Sequence, residues 1–414
     1  MNANRALVLY LLTGACVEGS GMAAATDEPM DTTASPGTEG GTLSAGDSAG
    51  DSNETAADDA NTTGDTNPDT DGATEDDTDT EGGEDTCDGD CGQPGTLLWI
   101  AELDQDVETC LDVVADGEGG AVASWFAYTE DFEPSGFVGS VNSDGVERES
   151  QFLLGRHIRG LARTEPGSFA WVDYAAQAGE STTELEDLVG APLPGATSAD
   201  DVTLTDAGLA YSLSNGDCWI RMGGVDSEPL PCGDTWIRWR LAAGGDALFA
   251  GLTASFFLRH LDPRGQISAA LGPPQDRTLI DIVAAPDGRV WTVGTIKDPA
   301  FPSAHSQGAF VAMHGPDLAE APTWEWLDEG SQDDDRAWLG VVHVRNQLVL
   351  VGRDENLVPK FQALTLDGEP TWTLAHDLTS EYQFHHADIA SDGVMVTCGV
   401  RFGYAPVIAA IGLR

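Results

Sequence analysis

The chain has 414 residues, with 70 Asp and Glu against 19 Lys and Arg, a formal charge of −51. A nucleic-acid surface needs a basic patch and an anionic membrane needs basic clusters, so this balance excludes both. Cations, or a partner with a basic face, are the electrostatically natural company. Only Lys297 and Lys360 are lysines, so the basic groups are almost all Arg.

Residues 1–16 have the form of an export signal. Arg5 is the positive start, Ala6 to Leu12 is a short apolar run, and small residues Thr13, Gly14 and Ala15 precede Cys16. The apolar run falls well short of the roughly 20 residues a membrane helix needs. Cys16 stands where a lipoprotein cysteine would be lipidated after cleavage, although Thr13 replaces the usual Leu three residues before it. The expected location is therefore the cell envelope or cell surface through a lipid anchor, or otherwise secretion.

Residues 17–95 are mostly Thr, Ser, Asp, Glu, Gly and Ala, with no Lys or Arg and almost nothing to bury. Low hydrophobicity with high net charge cannot offset chain entropy, so a disordered acidic tether is expected here. Even as a neutral coil it would span roughly 50 Å. Two motif matches in this stretch carry little. Gly46-Asp47-Ser48-Ala49-Gly50 fits a nucleophile elbow, but that motif needs a strand-to-helix turn. Asn67-Pro68-Asp69-Thr70-Asp71-Gly72 begins like a calcium loop, yet Thr78 stands where a bidentate Glu belongs. Weak, diffuse divalent-cation binding is the expectation, with no metal site and no cofactor.

From residue 96 onward one phrase recurs: an apolar run, a Gly/Asp turn, a second apolar run. It reads LDVVADGEGGAVASW from Leu111, RGLARTEPGSFAWV from Arg159 and DDVTLTDAGLAYSL from Asp200. It returns from Trp239, Ile280, Leu339 and Ala387. Aligning Asp112, Gly160, Asp201, Arg240, Asp281, Gly340 and Asp388 gives spacings of roughly 40 to 60 residues, the size of a four-stranded propeller blade. Third runs follow at 137–141, 256–261, 309–313, 361–366 and 407–411, and fourth runs carry Trp326 and Trp372. Runs apolar on successive residues suit strands covered on both faces. The last repeat lacks a fourth strand, and Thr96 to Leu103 is an orphan one. Pairing them closes the ring and removes the exposed edge. The expected fold is an all-β propeller, 96–414, of seven four-stranded blades, with six or eight left open by the poorly defined outer strands of repeats 2 and 3.

Phrases such as DIVAAPDGRVWTVG and FQALTLDGEPTWTL resemble those of secreted bacterial β-propeller-repeat lipoproteins. The resemblance covers residues 96–414 and implies fold far more than activity, because propellers carry many functions.

Of seven Cys, Cys16 is set aside for lipidation. Cys218 with Cys232, and Cys110 with Cys398 on the first and last blades, are the expected disulfides, leaving Cys87 with Cys91. Six Cys allow fifteen pairings, and four metal ligands with suitable spacing are missing.

The turns within each hairpin pair should face one side and be tight. The connections from second to third strand, and from blade to blade, should face the other and be long. Function concentrates in loops on a rigid scaffold, so candidate ligand-binding residues are Trp125, Tyr128, Arg159, Tyr174, Trp236, Arg238, Arg336, His385, His386 and Tyr404. Aromatics and Arg are typical interface anchors. Trp125 and Trp236 could equally pack between blades. The recurring Asp series is expected to bond neighbouring backbone rather than hold a metal ring. No catalytic residue is assigned. The expected function is a monomeric, non-enzymatic surface propeller binding a protein or glycan. The alternative is an extracytoplasmic enzyme of quinone-dependent dehydrogenase or glycosidase type. No CxxCH haem motif supports the first, and Asp287-Gly288-Arg289-Val290-Trp291 is one residue short of a sialidase Asp box.

Overall fold

The computed structural model describes residues 94–414 except 130, 187, 233–237, 245–246, 254–256, 273–275, 298–305, 320, 330–335, 375–377, 392 and 414. Cys16, Cys87, Cys91, Trp236 and the whole 1–93 region therefore lie outside the described residues.

Seven four-stranded antiparallel sheets make the seven blades. Their inner strands are Thr109–Ala115, Ile158–Glu165, Ser198–Thr205, Trp239–Gly244, Arg277–Ala284, Ala337–Val344 and Tyr382–Ser391. Blade 7 is completed from the other end of the chain, where Thr96–Glu102 pairs antiparallel with Ala405–Gly412. Both expectations, the blade number and the closing strand, hold. The outer strands of blades 2 and 3 are only two residues long, Ala191–Pro192 and Val225–Asp226.

Burial follows the strand's place in the blade. Leu348 to Val351, on a second strand, are all fully buried because neighbouring blades cover both sheet faces. The outer strand Glu147–Leu153 alternates between exposed and half-buried positions. The apolar core is not one mass but seven wedges, one between each pair of neighbouring blades. Large side chains fill them: Trp171 lies in the wedge of blades 1 and 2, and Trp338 in that of blades 5 and 6. Truncating either to Ala would cost about 3–5 kcal/mol.

Closure is reinforced in the wedge between blades 7 and 1. Cys110 and Cys398 are bridged there, with Cα atoms 6.1 Å apart. Trp125 inserts beside them and donates from Nε1 to the Gly399 carbonyl at 2.8 Å. The second bridge, Cys218–Cys232, staples the third strand of blade 3 to the segment that follows its short outer strand. Two formed disulfides fit an oxidising compartment.

The loop asymmetry is weaker than the sequence suggested. The second-to-third-strand connections 174–176, 215–217 and 402–404 are as tight as hairpin turns, while 183–190 and 315–323, on the hairpin-turn side, are long. In blade 2 the cause is visible: Leu185 and Leu188 drop into the wedge with blade 1 instead of extending the outer strand. The blade-to-blade connections 227–238 and 374–381 remain long as expected.

Candidate functional site

Six of the seven inner strands carry a one-residue bulge at the same height, with Leu111, Arg159, Asp200, Ile280, Leu339 and His385 as the unpaired residues. A bulge re-aims side chains and recurs at functional rims. Blade 4 lacks it, and Arg240 pairs directly with Gly251. The bulges correct the repeat alignment. The residue matching Asp112 in blade 7 is His386, and Asp388 lies two positions further along the strand.

The axial ring is therefore Asp112, Gly160, Asp201, Arg240, Asp281, Gly340 and His386. Its carboxylates tie blade to blade. Asp112 accepts from the Leu161 N–H at 2.7 Å, Asp201 from Leu241 at 2.8 Å and Asp281 from Val341 at 3.1 Å. Asp388 does the same one layer lower, accepting from Ala115 at 2.8 Å. The expectation that the Asp series bonds neighbouring backbone holds. Gly160 has no Cβ because one would sit 2.8 Å from the Asp201 Cα.

Arg240 bridges the axis. Its Nη1 lies 3.6 Å from Asp112 and 3.9 Å from Asp201, and its Nη2 donates to the Leu111 carbonyl at 3.1 Å and sits 2.9 Å from the His386 ring nitrogens. Below it, toward the hairpin-turn face, runs an axial cavity of about 440 Å³ whose upper rim is Asp112, Asp201 and Arg240. Burial pushes the carboxyls of Asp112, Asp201 and Asp388 up, and that of Asp281 to about 6. Arg240 opposes this at Asp112, Asp201 and Asp281.

Above Arg240, on the long-loop face, aromatic and basic groups form a row. Tyr128 meets Phe126 edge-on at 4.8 Å, Phe126 meets His157 edge-on at 5.1 Å, and His157 stacks on Tyr174 at 5.3 Å. Arg159 lies over the Tyr174 ring at 4.5 Å, donates from Nε to His157 Nε2 at 3.3 Å, and pairs with Asp200 at 2.5 Å. His157 is held down to about 3, first by burial and then by Arg159 and Arg238. It is a neutral acceptor at pH 7; His385, lowered to about 4, and His386, lowered further, both chiefly by burial, are neutral too. Arg238 joins from blade 4, its guanidinium lowered to about 9 by burial and by the charges of Arg159 and Arg240.

The long-loop face also carries large exposed apolar side chains on three neighbouring blades. Phe402 of blade 7 is 70 % exposed, Phe132 and Leu154 of blade 1 are 76 % and 71 %, and Tyr174 of blade 2 is 42 %.

Of the sequence candidates, Tyr128, Arg159 and Tyr174 thus meet in the row, with Arg238 and His386 at the axial mouth. His385 is the bulge residue beside His386, their rings 6.5 Å apart. Tyr404 ends the tight turn after Phe402, at φ 75°, and its carbonyl accepts from the Val107 N–H. Trp125 is fully buried and belongs to the closing wedge. Arg336 stands apart, paired with Asp328 at 2.7 Å and Glu355 at 3.2 Å. Phe126, His157 and Asp200 were missed because each looks like ordinary strand or loop sequence. Arg240 was legible as the one cation in an otherwise Asp/Gly series. Among the described residues no cluster of three His, Cys, Asp or Glu is arranged to hold a metal ion.

No protein-family model matches the sequence, and no curated protein matches it. The fold has many likenesses among solved structures. The WD40 β-propeller domain of Doa1 superposes with a TM-score of 0.52 at 10% identity, covering 76% of this chain and 96% of that one. A structure of YCF48 bound to D1 peptide gives 0.52 at 14% identity, covering 76% and 94%. The Cps50 (Swd1) propeller domain of Myceliophteria thermophila gives 0.47 at 12%, covering 74% and 97%. At these identities the likeness establishes the propeller and nothing finer.

Proposed function

We propose that the chain is a non-enzymatic binding propeller that takes a protein partner on its long-loop face, across blades 7, 1 and 2. The observation that carries this reading is that, among the described residues, the large exposed apolar groups of that face, Phe402, Phe132, Leu154 and Tyr174, fall in one sector. Contiguous exposed apolar groups rimmed by polar ones mark interaction sites. The row from Tyr128 to Arg159 adds rigid aromatics and an arginine, the side chains that anchor interfaces. Peptide binding by the structural neighbour solved with D1 peptide is consistent with such a role. We assign the 1–16 segment to export with lipidation at Cys16, and 17–95 to a tether that lifts the propeller from the envelope.

The axial carboxylates are the feature an enzyme on this scaffold would use. Each of them already spends an oxygen on a neighbouring blade's N–H, which supports a structural role.

The test is selection from a random peptide library on the wild-type protein, followed by measurement of the selected peptides on two variants. Tyr174→Ala should lose at least about tenfold in affinity, about 1.4 kcal/mol, with an unchanged melting temperature. Val146→Ser, on the hairpin-turn face, should bind as wild type. Equal affinity of Tyr174→Ala and wild type would remove the reading.

A further inference from the structure

Three guanidiniums converge where the long-loop face opens onto the axis, and two have counter-ions. Arg159 is matched by Asp200, and Arg240 shares Asp112 and Asp201. Arg238 has no ion pair and no side-chain hydrogen bond among the described residues. Its backbone is nonetheless fixed: its N–H donates to Thr253 Oγ1 at 2.9 Å, and its carbonyl accepts from the Thr253 N–H at 2.8 Å. The side chain thus starts from a fixed backbone at a half-buried mouth, where the charges of Arg159 and Arg240 oppose its own and those of Asp200 and Asp112 offset them only in part. Desolvating a cation without a partner is costly, and an anion bound there relieves that cost.

We infer that Arg238, flanked by Arg159, is a seat for one carboxylate of a bound peptide. The inference rests on the proposed protein partner and names the group that partner contributes. The charge count selects the ligand. Three guanidiniums face three carboxylates, but Arg238 is the one left outside an ion pair among the described residues, and Asp200 and Asp112 stand close enough to oppose a dianion. The planar fork of a guanidinium matches a carboxylate bidentately. His157 and His386, the neighbouring rings, are neutral and leave this count unchanged. At long range the −51 chain repels acidic molecules. The carboxylate must therefore arrive on a neutral or basic peptide, as a chain terminus or as an isolated Asp or Glu. At contact, with screening over about 8 Å, the unpaired Arg238 is the charge the carboxylate meets.

The experiment uses one random decapeptide library made in three forms. The first has a free C-terminus and omits Asp and Glu; the second is a C-terminal amide that includes them; the third is an amide that omits them. Binding of the first or the second should exceed the third by at least about tenfold, and which one does so identifies the carboxylate's source. Arg238→Gln should erase that excess while keeping the residual binding. Equal binding of all three forms, or a preference that survives Arg238→Gln, overturns the seat. Should that variant fail to fold, phenylglyoxal modification of the wild-type full chain, read by peptide mass spectrometry, decides. Acetate should slow modification at Arg238, and no protection overturns the seat. If no library binds in any form yet acetate protects Arg238, the partner reading fails and the seat stands. If the three libraries bind equally and acetate does not protect, the seat fails and the partner reading stands.

Discussion

Asp281 offers a quantitative test of the axial ring. Its carboxylate accepts from the Val341 N–H across blades 5 and 6, and burial raises it from 3.8 to about 6. The folded state therefore holds a proton that the unfolded chain has already released between these two values. Stability falls as pH rises through this window, and above it the loss reaches about 3 kcal/mol. Asp281→Asn keeps an oxygen to accept from Val341 and removes the titration. Melting temperatures of wild type and variant, followed from pH 4.5 to 7.5, should diverge in favour of the variant. About 2 kcal/mol of that loss falls between pH 4.5 and 7.5, so at roughly 2 °C per kcal/mol for a domain of this size the gap should widen by about 4 °C. Because Asp112, Asp201, Asp388 and the acidic surface titrate in both proteins, the difference reports Asp281 together with its coupling to Asp112 and Arg240. A gap that is constant with pH, or that narrows toward pH 7.5, would refute the reasoning.

Arg240→Met leaves buried carboxylates without their cation and should cost about 3–5 kcal/mol near neutrality. That loss should shrink at pH 5, where the raised carboxyls of Asp201 and Asp281 hold protons; denaturation at the two pH values checks it. Replacing Cys110 and Cys398 together by Ala unlinks the first and last blades and should cost about 2–5 kcal/mol. The same pair of melts on Cys218→Ala with Cys232→Ala should show a smaller loss, since that bridge closes a short loop.

The architecture was legible because it is written in a period. Repeated apolar-turn-apolar phrases, a missing fourth strand at one end and an orphan strand at the other define a closed ring without any long-range information. The Cys110–Cys398 bridge followed from that closure. The axial ring was legible only in part. Asp112, Asp201 and Asp281 fall at one height in both alignment and structure, but a bulge is a register event that no residue type announces. It moved His386 into the ring and Asp388 out of it. The long-loop site was legible as residue types, Arg159, Tyr174 and Arg238, and not as contacts. Phe126 and His157 join them only because blades 1 and 2 meet at an angle fixed by the packing of the wedge between them. Trp125 looked like a surface anchor for the converse reason: its burial depends on blade 7, which lies at the other end of the sequence.

The most direct test of partner binding on the long-loop face is site-specific photo-crosslinking. A benzophenone side chain is placed at Phe132, on the long-loop face, or at Val146, on the hairpin-turn face; both positions are well exposed. Each protein is irradiated with a peptide selected on the wild-type chain. Adducts at 132 and none at 146 are the predicted result, and adducts formed at 146 alone, or equally at both, would contradict it.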